Sequence, residues 1–168
     1  LRNPPHSQVP TMLESSLNDS LARMKLERVD IFFLHGYLTQ ALSPSTPSGT
    51  SRKLFIEIVR PSLEKLITQG RIGAWGITGI GEPDSVLKTL GEAPRPAIVQ
   101  VISNILDSPG GLKFFDGPSK AREIIAVANR YNIAVMGIRA LQAGALTRRF
   151  DRKVEPAHPD MQDYRKAE

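Results

Sequence analysis

Cysteine is absent from the 168 residues, so disulfides and thiolate chemistry are excluded, as expected of a cytoplasmic protein. No apolar run approaches the roughly 20 residues that a membrane-spanning helix needs, so no membrane association is expected. The opening Leu1-Arg2-Asn3-Pro4-Pro5 is polar and proline-rich and has none of the marks of a signal peptide. Several reaction centres are missing as well. There is no pair of carboxylates placed for glycoside hydrolysis, no two-histidine metal motif, no Gly-x-Ser-x-Gly elbow and no P-loop. His6 and His158 lie in stretches without periodicity. Lys and Arg give a net charge of +5 but are dispersed, apart from residues 148 to 153, so a nucleic-acid partner is not expected.

What is present is one compact core's worth of chain, with 40% hydrophobic and 23% charged residues. The centre of the pattern is Val29-Asp30-Ile31-Phe32-Phe33-Leu34-His35-Gly36. Apolar residues fill Ile31 to Leu34 without alternation, which predicts a central parallel strand covered on both faces. Before it, Thr11 and Glu14 have capping-box spacing, and Leu13, Leu17, Leu21 and Met24 form a helical stripe ending near Leu26. After it come a polar loop from Thr39 to Ser51 and a short helical turn over 53 to 60. Pro61 opens a further helix whose Leu63, Leu66 and Ile67 face inward and whose terminator is Gly70.

Three more strands are predicted over 72–78, 96–102 and 133–138, separated by a helix whose buried side is Val86, Leu87 and Leu90 and by a helix over about 119–131. Asn132 suits a left-handed cap. Trp75 is read as packing. Regular alternation with short links implies βαβ crossovers, hence an α/β fold of parallel (β/α) units in one domain over residues 1–168. Residues 148–168 read as an irregular tail. The chain opens on Leu1 and not Met, and is expected to be a segment of something longer or a processed product.

In parallel α/β proteins the chemistry gathers at the carboxyl ends of the strands. Those ends carry His35, Thr78 with Gly79, Gln100 with Asn104, and Arg139. The set suits a polar heteroaromatic or amide ligand beside a proton-handling histidine. Taken singly, His35 also fits a strand cap satisfied by backbone groups. Gln100 in an apolar strand needs either a ligand or a backbone partner, since burying an unpaired amide costs about 1–3 kcal/mol. Gly79-Ile80-Gly81 before a helix is either a phosphate cradle or a plain turn, and it lacks the third glycine of a dinucleotide fingerprint.

Longer stretches resemble the aldo-keto reductases. They are the Leu-Glu-x-Ser-Leu helix (13 to 17), Val-Asp-Ile-Phe-Phe-Leu-His (29 to 35) and Leu-Glu-Lys-Leu-Ile-x-x-Gly-Arg-Ile-Gly-Ala-Trp-Gly-Ile-Thr (63 to 78). Val-Gln-Val-Ile-Ser-Asn (99 to 104) and Val-Met-Gly-Ile-Arg-Ala-Leu-x-Ala-Gly-Ala-Leu-Thr (135 to 147) complete the set, in family order. The resemblance implies a partial TIM barrel of NADP-dependent oxidoreductase type, covering about strands four to seven of eight. It implies an NADP(H) cofactor and a small-molecule carbonyl substrate.

Carried over, His35 resembles the histidine that orients the substrate carbonyl. Thr78 and Gly79 fall on the Ser-Asn pair that holds the nicotinamide carboxamide, and Gln100 on the glutamine with the same task. Ile138 falls where an aromatic residue commonly stacks. Arg139 to Leu141 fall on the Ser-Pro-Leu segment near the pyrophosphate. Gly79 has no amide and Ile138 no ring, and Arg139 would compensate by pairing with phosphate. The family's catalytic Asp, Tyr and Lys precede the matching segment, and Tyr37, Tyr131 and Tyr164 do not match the catalytic tyrosine. The chain alone is therefore expected to be inactive. The alternative is a non-enzymatic half-barrel that self-associates through its open sheet edges.

Overall fold

The computed structural model of the chain describes residues 5–42, 49–105, 107, 115 and 117–141. The tail 148–168 and the Pro109-Gly110-Gly111 loop lie outside the described residues. Helix α1 (Val9–Met24) buries Val9, Leu13, Leu17 and Leu21, a stripe of four-residue steps that lies against the core. It begins earlier than the capping-box spacing implied. Pro10 is accepted in the first turn, Gln8 is the N-cap without a side-chain bond, and Thr11 lies inside the helix. Met24, read as part of the stripe, is 50% exposed, because the helix closes on Lys25 in the left-handed conformation.

Strand β1 (Val29–Leu34) follows, and the chain then makes a small parallel pair, β2 (Leu38–Thr39) with β3 (Thr50–Ser51). This pair closes the base of the loop expected to be irregular throughout. The Ser51 hydroxyl accepts from the Leu54 N–H at 3.2 Å and starts a continuous helical run: α2 (Arg52–Leu54), a π-turn (Phe55–Val59) and α3 (Arg60–Thr68). The sequence suggested a separate turn and a fresh start at Pro61. Pro61 supplies no N–H, and the turn ahead of it is wound as a π-helix, so the run does not break there. Leu63 and Leu66 are buried, and Gly70 ends the helix at φ 69°.

The rest alternates: β4 (Ile72–Thr78), α4 (Pro83–Gly91), β5 (Ile98–Ile102), α5 (Ala121–Arg130) and β6 (Ala134–Ile138). Asn132, between α5 and β6, takes φ 56°. The strands β1, β4, β5 and β6 form one four-stranded sheet in that order, every pair parallel. The α/β arrangement of parallel (β/α) units is thus present.

One expectation is overturned. β1 is an edge strand of the described sheet and not a central one, and its Ile31 is 41% exposed. An unbroken apolar run signals a strand whose two faces can both be buried; here only the helix-facing side of β1 has its cover among the described residues.

The two faces of the sheet differ. Leu34, Trp75, Ile77, Val99 and Val101 belong to the hydrophobic core together with Leu17, Phe55, Leu63, Val86, Leu90 and Ile124 of the helices. On the opposite face the register aligns Phe33, Gly76, Ile98 and Ala134. A Cβ added at Gly76 would meet Phe33 Cε1 at 2.6 Å and Ile98 Cγ2 at 2.7 Å, so the missing side chain is what lets these two apolar groups approach. Two residues further along each strand, the same face turns polar.

Candidate active site

That polar level carries Thr78, Gln100 and Met136, which the register aligns on β4, β5 and β6. His35 is the first residue past β1, one step beyond the Leu34–Ile77 pair, and so stands at the level of Thr78. The imidazole is exposed, with no hydrogen bond or ion pair among the described residues. His35, Thr78 and Gln100, expected at the strand ends, therefore stand at one rim.

Thr78 is 1% exposed. Its hydroxyl donates to Gln100 Oε1 at 3.1 Å and stands 3.5 Å from the Leu34 carbonyl oxygen. The Gln100 amide nitrogen faces the Met136 sulfur at 3.6 Å. Neighbouring side chains on the strands thus satisfy the Gln100 oxygen but barely touch its NH2, since a thioether is a weak acceptor.

Gly79 lies against the same strand end. Its N–H donates to the Gln100 carbonyl at 2.7 Å, and a Cβ there would meet that oxygen at 3.0 Å and Val99 Cγ2 at 3.1 Å. Close packing of β4 on β5 therefore accounts for the glycine. Two residues on, a Cβ on Gly81 would overlap the backbone of Leu38, and the Glu82 N–H donates to the Leu38 carbonyl at 2.8 Å. The Gly79-Ile80-Gly81 stretch is a tight seam between the loops after β1 and β4, with the Gly79 N–H and that of the following Glu82 already engaged.

Ile138 closes β6 opposite Ile102, half-buried, and its carbonyl accepts from the Ser103 N–H at 3.0 Å. Arg139 follows at φ 58°, an uncommon conformation for a residue with a side chain, and Leu141 is 59% exposed. Tyr37 went unassigned in the sequence. It is half-buried beyond β1; burial pushes its phenol above the ordinary range, and the charge of Arg139 pulls it back in part. The signal for it was available in the order His35, Gly36, Tyr37 at a strand end, but a lone tyrosine in a loop carries little weight. Among the described residues no group of three or more His, Asp or Glu could hold a metal ion, and no helix is long and apolar enough to cross a membrane.

A parallel sheet with helices on one face and a polar rim at its carboxyl ends is the geometry of a (β/α)-barrel segment. The family model described as the aldo/keto reductase family matches residues 3–167, and the chain belongs to that family. Solved structures agree in fold. An aldo-keto reductase of Bacillus halodurans in its apo form superposes with a TM-score of 0.63 at 20% identity, over 87% of this chain and 42% of that one. A silkworm (Bombyx mori) enzyme complexed with NADPH gives 0.53 at 16% identity, over 77% of this chain and 34% of that one. A second Bombyx mori enzyme, in complex with NADP, gives 0.51 at 16% identity, over 77% and 36%. The chain thus spans well under half the length of these structures. No curated protein sequence matches it.

Proposed function

We propose that this chain carries part of the site of an NADP(H)-dependent oxidoreductase of aldo-keto reductase type, acting on a small-molecule carbonyl substrate. The observation that carries this reading is the rim itself: His35, Thr78 and Gln100 share one end of a parallel sheet above an apolar layer. Two of the superposed structures hold NADPH or NADP, which supports the choice of cofactor.

The residues present fit the nicotinamide end of such a cofactor. Among the described residues the Gln100 NH2 has only a thioether beside it, and it stands over Phe33 and Ile98, a floor suited to a flat ring. Bound there, the nicotinamide would supply or accept the hydride. His35, exposed and unengaged among the described residues, is placed to donate a hydrogen bond to a carbonyl oxygen and so orient it. Ile138 would give the ring an aliphatic flank, and Arg139, with Leu141 beyond it, would lie toward the pyrophosphate. The residues present offer no counterpart for the family's Asp, Tyr and Lys, so this chain on its own is expected to bind without turning over. A cytoplasmic setting fits the absence of cysteine.

Calorimetric titration with NADPH tests the reading. Binding that weakens in Gln100→Ala supports it, and absence of any binding overturns it. NADPH-dependent carbonyl reduction by this chain alone, abolished in His35→Ala, would contradict the expected inactivity. The second reading, a half-barrel that self-associates, is favoured by the unpaired outer edges of β1 and β6 among the described residues.

A further inference from the structure

We propose that a second copy of this chain closes both outer edges of the sheet and covers its open face, two half-barrels making one eight-stranded barrel. The inference rests on the self-associating reading above and deepens it: it fixes the partner, the strands that meet and the residues that touch.

The strand count permits closure. A (β/α)-barrel closes with eight parallel strands, and one chain supplies four of them in a single parallel sheet. The outer strands are β1 and β6, and neither has a second strand partner among the described residues. About a two-fold axis along the barrel, β6 of each copy meets β1 of the other. Both new pairs are parallel, like those already formed, the two seams are identical, and no edge is left open.

The register says which residues meet. One aligned row starts at Phe33, next to last in β1, and passes through Gly76 and Ile98 to Ala134, the first residue of β6. The row thus descends toward the amino ends of the strands. A barrel of this kind has a shear of about eight residues, so each half takes about four. Continued onto the second copy with that stagger, the row lands on Val29. Met136 then lies beside Ile31 of the second copy, and Ile138 beside Phe33 of the second copy. Ile31 and Met136 are each 41% exposed in the single chain, and the one match covers both.

The open face is composed as an interior. None of its strand positions is charged, from Ile31 and Phe33 on β1 to Ala134 and Met136 on β6. Along the aligned row Phe33, Gly76, Ile98 and Ala134 alternate large and small, which is how the inside of a small barrel is filled. Closure covers edges of six residues on β1 and five on β6 in each copy, together with this face. The contact is on the order of 2,000 Å² in all, the scale of obligate homodimers. The single mouth of the barrel would then carry two rims, each with its own His35, Thr78 and Gln100.

Sedimentation and light scattering of the chain test the closure. The expected mass is twice the 18.5 kDa of one chain, with no further growth as concentration rises. A mass that keeps growing leaves self-association standing and overturns closure. A single-chain mass at every concentration overturns both, and assigns the open face to a different polypeptide.

The seam is tested by cross-linking, which the absence of cysteine makes clean. Coexpressed Ile31→Cys and Met136→Cys chains should form a covalent dimer on oxidation, since aligned neighbours lie within disulfide reach. Either variant oxidised alone should give little, because like positions sit across the barrel. Linking of like with like, or no linking in a folded dimer, overturns the proposal. Isotope-filtered NMR on a mixture of labelled and unlabelled parent chains needs no substitution. It should show the Met136 methyl against Ile31 of the other copy, and a dimer without that contact overturns the register.

Discussion

The indole N–H of Trp75, a side chain only 1% exposed, donates to the Glu64 carboxylate at 2.6 Å, tying β4 to α3 across the sheet–helix layer. Phe55 meets the same indole edge-on, with ring centroids 5.9 Å apart. A buried indole needs a partner for its one donor, and here a helix carboxylate supplies it. Glu64→Ala leaves that donor unsatisfied and should cost about 1–3 kcal/mol, while Glu64→Gln keeps an acceptor and should cost less. Urea unfolding followed by fluorescence checks this, since Trp75 is the only tryptophan.

The seam between the loops after β1 and β4 depends on Gly81. A methyl group there would overlap the Leu38 carbonyl and amide, which are backbone atoms and cannot turn aside. Gly81→Ala should destabilise by about 1–3 kcal/mol or more, as overpacking does. Gly91 is the control: it ends α4 with nothing within 4 Å of an added Cβ, so Gly91→Ala should be neutral or gain up to about 1 kcal/mol. Thermal unfolding of the two variants beside the parent chain separates them.

Much of this was legible in the residues, for identifiable reasons. Ile72–Thr78 reads as a strand because the run between Gly70 and Gly79 is almost wholly apolar, and the strand has those bounds. His35, Thr78 and Gln100 fall on one rim because parallel strands set all their carboxyl ends on one side, whatever the detailed packing. The position of β1 was not legible. Whether an apolar strand is central or at an edge depends on what pairs with its far side, which no local pattern records. The inward turn of Thr78 was equally hidden, since a threonine at a strand end looks the same whether its proton goes to a ligand or to a neighbour. The early start of α1 was missed because the Thr11–Glu14 spacing outweighed the acceptance of Pro10 in a first turn.

Tyr37 gives a pH-dependent handle on the same rim. Burial raises its phenol above the ordinary 10.0, and Arg139 opposes the shift. A raised folded-state value means that the folded chain holds the proton more tightly than the unfolded chain. The associated stability is therefore fully present below the unfolded value near 10.0 and is lost as pH rises through the folded one. Stability near neutral pH should not respond to this group, and it should fall in the alkaline range. Phenolate absorbance, read as the difference between the parent chain and Tyr37→Phe, should show a late-titrating tyrosine. Arg139→Gln should push that titration later still, because it removes the charge that favours the phenolate.

Among the described residues the outer edge of β1 has no strand partner, and Ile31 is exposed beside it. Such an edge is a template for another strand unless a charge or a cover blunts it, and the adjacent apolar face adds burial to the pairing. The chain is expected to self-associate as its concentration rises, with light scattering reporting a mass above that of one chain. Ile31→Lys places a charge at the open edge, where the side chain can still reach water, and should return the mass toward that of a single chain without unfolding it. Lys53→Ala, on the helical run away from this edge, should leave the concentration dependence as it was. Equal association in the Ile31→Lys variant would mean that β1 is not the contact, and would leave the edge of β6, with Met136 exposed at 41%, as the remaining strand to substitute.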